Sequence, residues 1–246
     1  MGVPTLGCHC EVCTSLDPHD NRLRPSILIG YNGRNILIDT TPDFRTQALR
    51  ARIDHLDAIL FTHEHADHIM GLDDVRPFSL RQKCPIPIYG SSQTMEAIQR
   101  CFRYIFDGRE KLSSVPRLTP HILNGEALEL FGLEIQPIRL LHGMDAIFGF
   151  RFGGAAYLTD HSDVPDGSKR SLQDLDVLFL DALRFRPHPT HSTVDLSIQT
   201  AQELAAQRAF FTHISHDLHH SRTARMLPPN IYLAYDGLEL HVEARG

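Results

Sequence analysis

The stretch "THEHADH" sets His63, His65, Asp67 and His68 within one short segment. Neutral imidazole and carboxylate are ligands that suit zinc, manganese or iron. His63 and His65 are two apart and can point to the same side of an extended loop. Asp67 and His68 follow after a turn and can address a second position, so one loop could touch two ions. Each ion needs further donors, and His142, Asp160 and His213 are candidates elsewhere in the chain. An aspartate can bridge with its two oxygens. Two ions about 3.5–4 Å apart can share a hydroxide, a nucleophile at neutral pH.

These donors must be positioned, and the apolar runs that precede them show how. "SILIGY", "NILID", "AILFT", "IPIYG", "LEIQPIRLL", "IFGFRF", "AAYLTD", "VLFLD", "AFFTH", "IYLAY" and "LELHV" read as strands. Many of them end on histidine or aspartate: Asp39, His63, His142, Asp160, Asp181 and His213. Strands from distant parts of a chain converge in a sheet, so such ends can share one rim, the usual place for a site. "YNGRN" predicts a hairpin turn, and "AYDGLEL" a second turn near the end. "TPDFRTQALRARI", "SSQTMEAIQRCFRYIF" and "STVDLSIQTAQELAAQ" predict helices. "DGREKLSSVPRLTPH" is the loosest segment and reads as a surface excursion.

The totals set bounds. The chain has 246 residues, 42% hydrophobic and 22% charged, which reads as a globular protein with a substantial core. No repeat or linker rich in Pro, Gly or Ser divides it, so a single domain over 1–246 is expected. The formal charge is −6 with no basic block, which argues against broad charge-driven nucleic-acid binding. The start shows no signal peptide, and no apolar run approaches a membrane span. A cytoplasmic location with reduced thiols is the expectation. Of the five cysteines, Cys84 and Cys101 read as small core residues, whereas Cys8, Cys10 and Cys13 lie together. In a reducing compartment such a cluster favours a metal over a disulfide.

"THEHADH", followed in order by "LLHG", "LTDHSD" and "FTHISH", resembles the metallo-β-lactamase superfamily across nearly the whole chain. The resemblance implies an α/β fold, a four-layer αββα sandwich with a two-metal site. It implies that His63, His65 and His142 hold the first metal, that Asp67, His68 and His213 hold the second, and that Asp160 bridges. "HPTHSTVDLSIQTA" resembles the phosphodiesterase branch, which includes ribonuclease Z and PhnP-type enzymes. There the equivalent of His191 assists at the scissile phosphate, so Asp67 and His191 are the catalytic candidates. A strongly basic alkoxide leaving group benefits from such a proton donor. Thr193 and the first amides of the following helix could hold a phosphate oxygen.

"GVPTLGCHCEVC" resembles the N-terminal signature of the PhnP-like group, in which Cys8, Cys10, Cys13 and His216 would bind a structural zinc. Three thiolates and an imidazole make a closed tetrahedral site. In "GLDDVRPF", Arg76 could clamp a phosphate or pair with Asp73 or Asp74. Asp39, Asp181 and Asp236 could orient ligand histidines. His161 directly follows Asp160 and is expected near the site. Relatives usually carry a strand and a Gly/Thr/Ser-rich loop ahead of "GVP", which here follows Met1 directly.

The implied function is a binuclear metal-dependent phosphodiesterase, with two active-site ions (Zn or Mn) and one structural Zn. Its partner would be a small cyclic ribose phosphate or nucleotide-type substrate. No membrane and no extended nucleic acid are expected, and the group suggests a homodimer. The rivals are a ribonuclease Z-like tRNA processor, a glyoxalase II-like thioesterase or lactonase, and a non-catalytic ligand-binding scaffold.

Overall fold

The computed structural model describes residues 2–109 and 114–244. The chain divides into two compact units, Arg24–Glu126 and Met1–Leu23 with Ala127–Gly246. Each is built on one sheet.

The Arg24–Glu126 unit carries a five-stranded sheet in sequence order: β1 (Ile27–Tyr31), β2 (Arg34–Ile38), β3 (Ala58–Leu60), β4 (Ile86–Gly90) and β5 (Leu118–Ile122). β1 and β2 form the hairpin expected from "YNGRN", and Asn32 and Gly33 both take positive φ, the conformation its two-residue turn requires. From β2 onwards the pairing is parallel. The α-helices of this unit among the described residues are α1 (Phe44–Ala51), α2 (Ala66–Ile69), α3 (Arg76–Gln82), α4 (Ser92–Cys101) and α5 (Arg103–Phe106). Ser91 caps α4 by accepting the amide of Thr94. Ile59, Phe61, Ile69, Leu72, Ile88 and Ile98 are among the core residues. Each such side chain contributes roughly 1.5–3 kcal/mol when fully buried.

The second unit holds a seven-stranded sheet in the order β12-β11-β10-β9-β8-β7-β6. Its strands are β6 (Leu128–Leu130), β7 (Leu133–His142), β8 (Asp145–Phe152), β9 (Ala155–Leu158), β10 (Val177–Asp181), β11 (Arg208–Thr212) and β12 (Ile231–Leu233), with helices α6 (Asp166–Lys169), α7 (Val194–Glu203) and α8 (His220–Ala224). β6 to β9 are antiparallel, and β9 to β12 are parallel. β7 and β9 flank β8 and therefore run the same way, so His142, Asp160, Asp181 and His213 all leave the sheet at one edge. The expected convergence of strand ends is present within this unit.

Several expectations are corrected. β5 overlaps the end of the segment read as a surface excursion, of which residues 110–113 fall outside the described residues. It is mostly exposed and contains Pro120, so neither alternation nor composition marks it. "LELHV" is not a strand. Leu238, Leu240 and Val242 pack on a patch around Ala155, Val177 and Phe210, so their alternation reflects packing without a ladder. Cys84 and Cys101 are exposed, Cys84 in the connection between α3 and β4 and Cys101 at the end of α4. No helix among the described residues is long and apolar enough to cross a membrane.

Candidate metal centres

In the Arg24–Glu126 unit the metal motif begins where β3 ends. Its organising residue is Asp39, one position past β2, fully buried and held at φ +65. A non-glycine residue in this conformation carries strain that functional sites tolerate. Asp39 Oδ1 accepts the Thr62 amide at 2.9 Å. Its Oδ2 accepts the Thr62 hydroxyl at 2.9 Å and lies 2.7 Å from His68 Nδ1. Having given its proton to Asp39, the Thr62 hydroxyl accepts from His63 Nδ1 at 3.0 Å. Both imidazoles are thereby set in the tautomer that carries its lone pair on Nε2, the state a metal takes. Burial pushes the Asp39 carboxyl up, and the His68 ring opposes that push.

The rings of His63 and His68 lie 4.3 Å apart between centroids, and those of His63 and His65 4.6 Å apart. Asp67 lies in the first turn of α2. Glu64, the remaining carboxylate of the motif, turns away and bonds Gln93 and Thr94 at the start of α4, which fixes the loop.

In the other unit, strand ends repeat the logic with other residues. Asp160 and His213 both sit at positive φ, +57 and +53, just beyond β9 and β11. His213 Nε2 is 3.4 Å from Asp160 Oδ1, which also accepts the Thr159 hydroxyl at 2.8 Å. His142, Asp160 and His191 place donor atoms within 4.8 Å of one another. His191 stacks on His213, with centroids 4.7 Å apart and planes 9° from parallel, and meets His142 edge-on at 4.9 Å.

His191 Nδ1 donates to Asp181 Oδ2 at 2.8 Å. Asp181 is fully buried, and burial together with the charge of Asp160 pushes its carboxyl well above the usual range, against the pull of His213. His161 is buried and donates Nδ1–H to the Leu158 carbonyl at 3.1 Å. Burial pushes its pKa down to about 4, so it is a neutral wall residue.

The third group lies in the same unit as His191. Cys8, Cys10 and Cys13 place their Sγ atoms 3.2, 3.5 and 3.4 Å from His216 Nδ1. A tetrahedral zinc with ordinary Zn–S and Zn–N bonds would separate S and N by about 3.6 Å, so the donor set fits that ion. The Cys13 amide donates to Cys10 Sγ and, as the largest cause, pulls the Cys10 thiol down to about 7, while burial pushes Cys13 up. Cys10 is therefore the first thiolate to form.

Arg22 ties this loop to the segment that carries His216. Val3 and Arg22 exchange backbone hydrogen bonds at 2.8 and 2.7 Å. The buried guanidinium donates to the carbonyls of His19, Ser215 and Leu218, and to Asp20. Sequence reading missed both Arg22 and Thr62, since a lone arginine and a lone threonine carry no spacing signal.

Two substrate-binding expectations meet other uses in the structure. Arg76 lies 3.4 Å from Asp73, the paired alternative, with both side chains partly exposed. The Thr193 hydroxyl caps α7 by accepting the Leu196 amide at 3.3 Å. Asp236 accepts the Leu23 amide at 3.1 Å.

The comparisons agree with this arrangement. A model described as a beta-lactamase superfamily domain matches residues 34–214. A solved diphosphatase of the PhnP family is 52% identical, has a TM-score of 0.93, and is matched over 99% of this chain and 94% of its own. An octanoyltransferase of Porphyromonas gingivalis is 37% identical over 249 residues, covering 100% of this chain and 50% of that protein. A ribonuclease Z of Bradyrhizobium sp. is 31% identical over 142 residues, 55% of this chain and 46% of that protein. The chain thus spans about half the length of these two curated relatives. With the histidine–aspartate motifs in order, a family match over most of the chain and a near-full-length structural counterpart, the chain belongs to the metallo-β-lactamase superfamily.

Proposed function

We propose that the protein is a metal-dependent hydrolase of phosphoric diesters of small, nucleotide-type substrates. His63, His65, Asp67, His68, His142, Asp160 and His213 are the ligands of two divalent ions, Zn or Mn. Cys8, Cys10, Cys13 and His216 hold a separate structural zinc. Such ions, when bound, supply Lewis acidity and a nucleophile from water at neutral pH. A closed thiolate set suits structure, whereas an oxygen–nitrogen set suits exchangeable chemistry.

The observation that carries the reading is the His191–Asp181 pair. Asp181 holds the imidazole by Nδ1, which turns Nε2 towards the donors of His142 and Asp160. An imidazolium so placed can pass a proton from Nε2 to a leaving oxygen, and the buried carboxylate stabilises its charge. Asp67 is the other catalytic residue, acting as a ligand.

A second reading follows from the PhnP-family relative, which is a diphosphatase. The bond cleaved would then be a P–O–P bridge. The octanoyltransferase match keeps a thioester as the alternative to exclude, although half of that protein lies beyond the matched region.

The test is steady-state turnover by metal-loaded protein of bis(p-nitrophenyl) phosphate, a ribose cyclic phosphate and an S-acyl thioester. Turnover of phosphoric diesters with a negligible thioester rate is the expected result. Thioester turnover alone would replace the reading.

A further inference from the structure

The loop "RFRPHPTH", Arg184 to His191, joins β10 to α7 and carries two groups not used above. One is His188, whose ring centroid is 4.9 Å from that of His191. The backbone amide of Thr190 donates to His188 Nδ1 at 3.3 Å. An amide N–H can only donate, so Nδ1 carries a lone pair and the proton of the neutral ring is on Nε2. The hydrogen bonds of this ring among the described residues are both at Nδ1. His191 has the opposite arrangement, with Nδ1–H given to Asp181. Two adjacent rings therefore present different chemistry: a fixed N–H donor from His188 and a proton-transfer nitrogen from His191. Partial burial, reinforced by His191 and Arg184, holds His188 below the usual imidazole range, which keeps it neutral.

Arg184 is the other group. Its Nε donates to the Arg186 carbonyl at 3.1 Å and its Nη2 to the Pro187 carbonyl at 3.0 Å. The guanidinium is thus held on the loop backbone, with Nη1 remaining for a ligand. Arg186 is neutralised by Asp217 at 2.8 Å, whereas Arg184 has only carbonyl partners among the described residues. The loop is also seated firmly. A Cβ at Gly143, which has φ +64, would stand 2.9 Å from Thr190 Cγ2, so the β7–β8 turn fits against the loop only as glycine.

We infer that Arg184 and His188 form a subsite for a second phosphoryl group, so that the preferred substrate is a diester of diphosphate, of the dinucleoside diphosphate type. This rests on the phosphoryl-hydrolase reading above. A single phosphodiester has one anionic phosphoryl group to bind. A diphosphate diester has a second beside it, which matches a charge without a carboxylate partner and a fixed neutral donor. Hydrolysis adds one water across the P–O–P bridge, breaks one P–O bond and gives two phosphate monoesters. The departing monoester would be held by Arg184 and His188.

The test compares kcat/KM for a dinucleoside diphosphate and for bis(p-nitrophenyl) phosphate in the metal-loaded wild type, His188→Asn and His188→Gln. Asparagine can still accept the Thr190 amide through Oδ1 but cannot donate from the place of Nε2. Glutamine can present a donor there. The ratio of the two kcat/KM values, diphosphate over single diester, falls about 30-fold in His188→Asn and is largely restored in His188→Gln, as loss of one charge-assisted hydrogen bond requires. Arg184→Gln lowers the same ratio. An unchanged ratio in His188→Asn, or harm from glutamine alone, would make His188 a loop-holding residue and overturn the inference. Wild-type turnover of the single diester without the diphosphate would also overturn it while leaving the hydrolase reading intact. Turnover of neither would remove the hydrolase reading itself.

Discussion

The thiolate cluster and the histidine–aspartate rim lie in the same unit and are built on different plans. Cys8, Cys10, Cys13 and His216 surround one point with four donors and leave no position over. His142, Asp160 and His213 stand at strand ends, two of them at positive φ, with His191 beside them on a buried carboxylate. The cluster fastens a loop, and Arg22 fastens the same loop from the other side. The rim instead keeps a proton-handling group next to metal donors. On the proposed reading the cluster serves stability and the rim turnover, so each should be removable without the other.

The largest expected effect is at the rim. His191→Ala lowers kcat by about 10³ for a diester with an alkoxide leaving group and far less for a p-nitrophenyl ester, because general-acid catalysis contributes roughly 10²–10⁴ where a proton is needed. Its thermal midpoint stays near that of wild type. Equal slowing of both esters would give His191 another role and break the contrast.

Next is the cluster. Cys10→Ser loses the structural zinc and, with a local cost of about 3 kcal/mol, lowers the thermal midpoint by about 6–12 °C. Calorimetry alongside zinc counting checks this. A midpoint that does not move would mean that the loop is held by Arg22 alone.

Asp39→Asn sharpens the comparison from the other unit. It removes the carboxylate that orients His68 directly and His63 through Thr62. Loss of an orienting partner lowers metal affinity by about 10–100-fold, read by competition with a calibrated chelator. The thiolate-held zinc should be retained unchanged.

The smallest effect is a pH dependence. With the Cys10 thiol near 7, that residue is mostly thiolate at pH 8 and mostly thiol at pH 6. Because metal binds the deprotonated form, acidification over this window weakens zinc retention. Zinc release to a competing dye, followed from pH 8 to 6, should rise as pH falls.

Much of this was legible in the sequence because the informative residues follow apolar runs. Asp39, Asp160, Asp181 and His213 each sit at or just past a strand that composition alone marks. The cysteine spacing marked three members of the cluster, and the family resemblance supplied His216. Where packing replaced pattern, reading failed. β5 is an exposed strand with a proline, recognisable only through its pairing with β4, and "LELHV" alternates because its side chains cover a patch. Thr62 and Arg22 act through hydrogen bonds that a local pattern cannot show. The charge of Arg184 became informative only when Arg186 proved to be paired and Arg184, among the described residues, had carbonyl partners.

The most direct test of the two-plan account is turnover during staged metal removal and return. A mild chelator should leave one zinc per chain, held by the thiolates, in folded protein that does not turn over bis(p-nitrophenyl) phosphate. Zinc or manganese, added back separately, should restore turnover as two further ions bind. Full turnover with the single thiolate-held zinc, or none in folded protein with every site filled, would contradict the account.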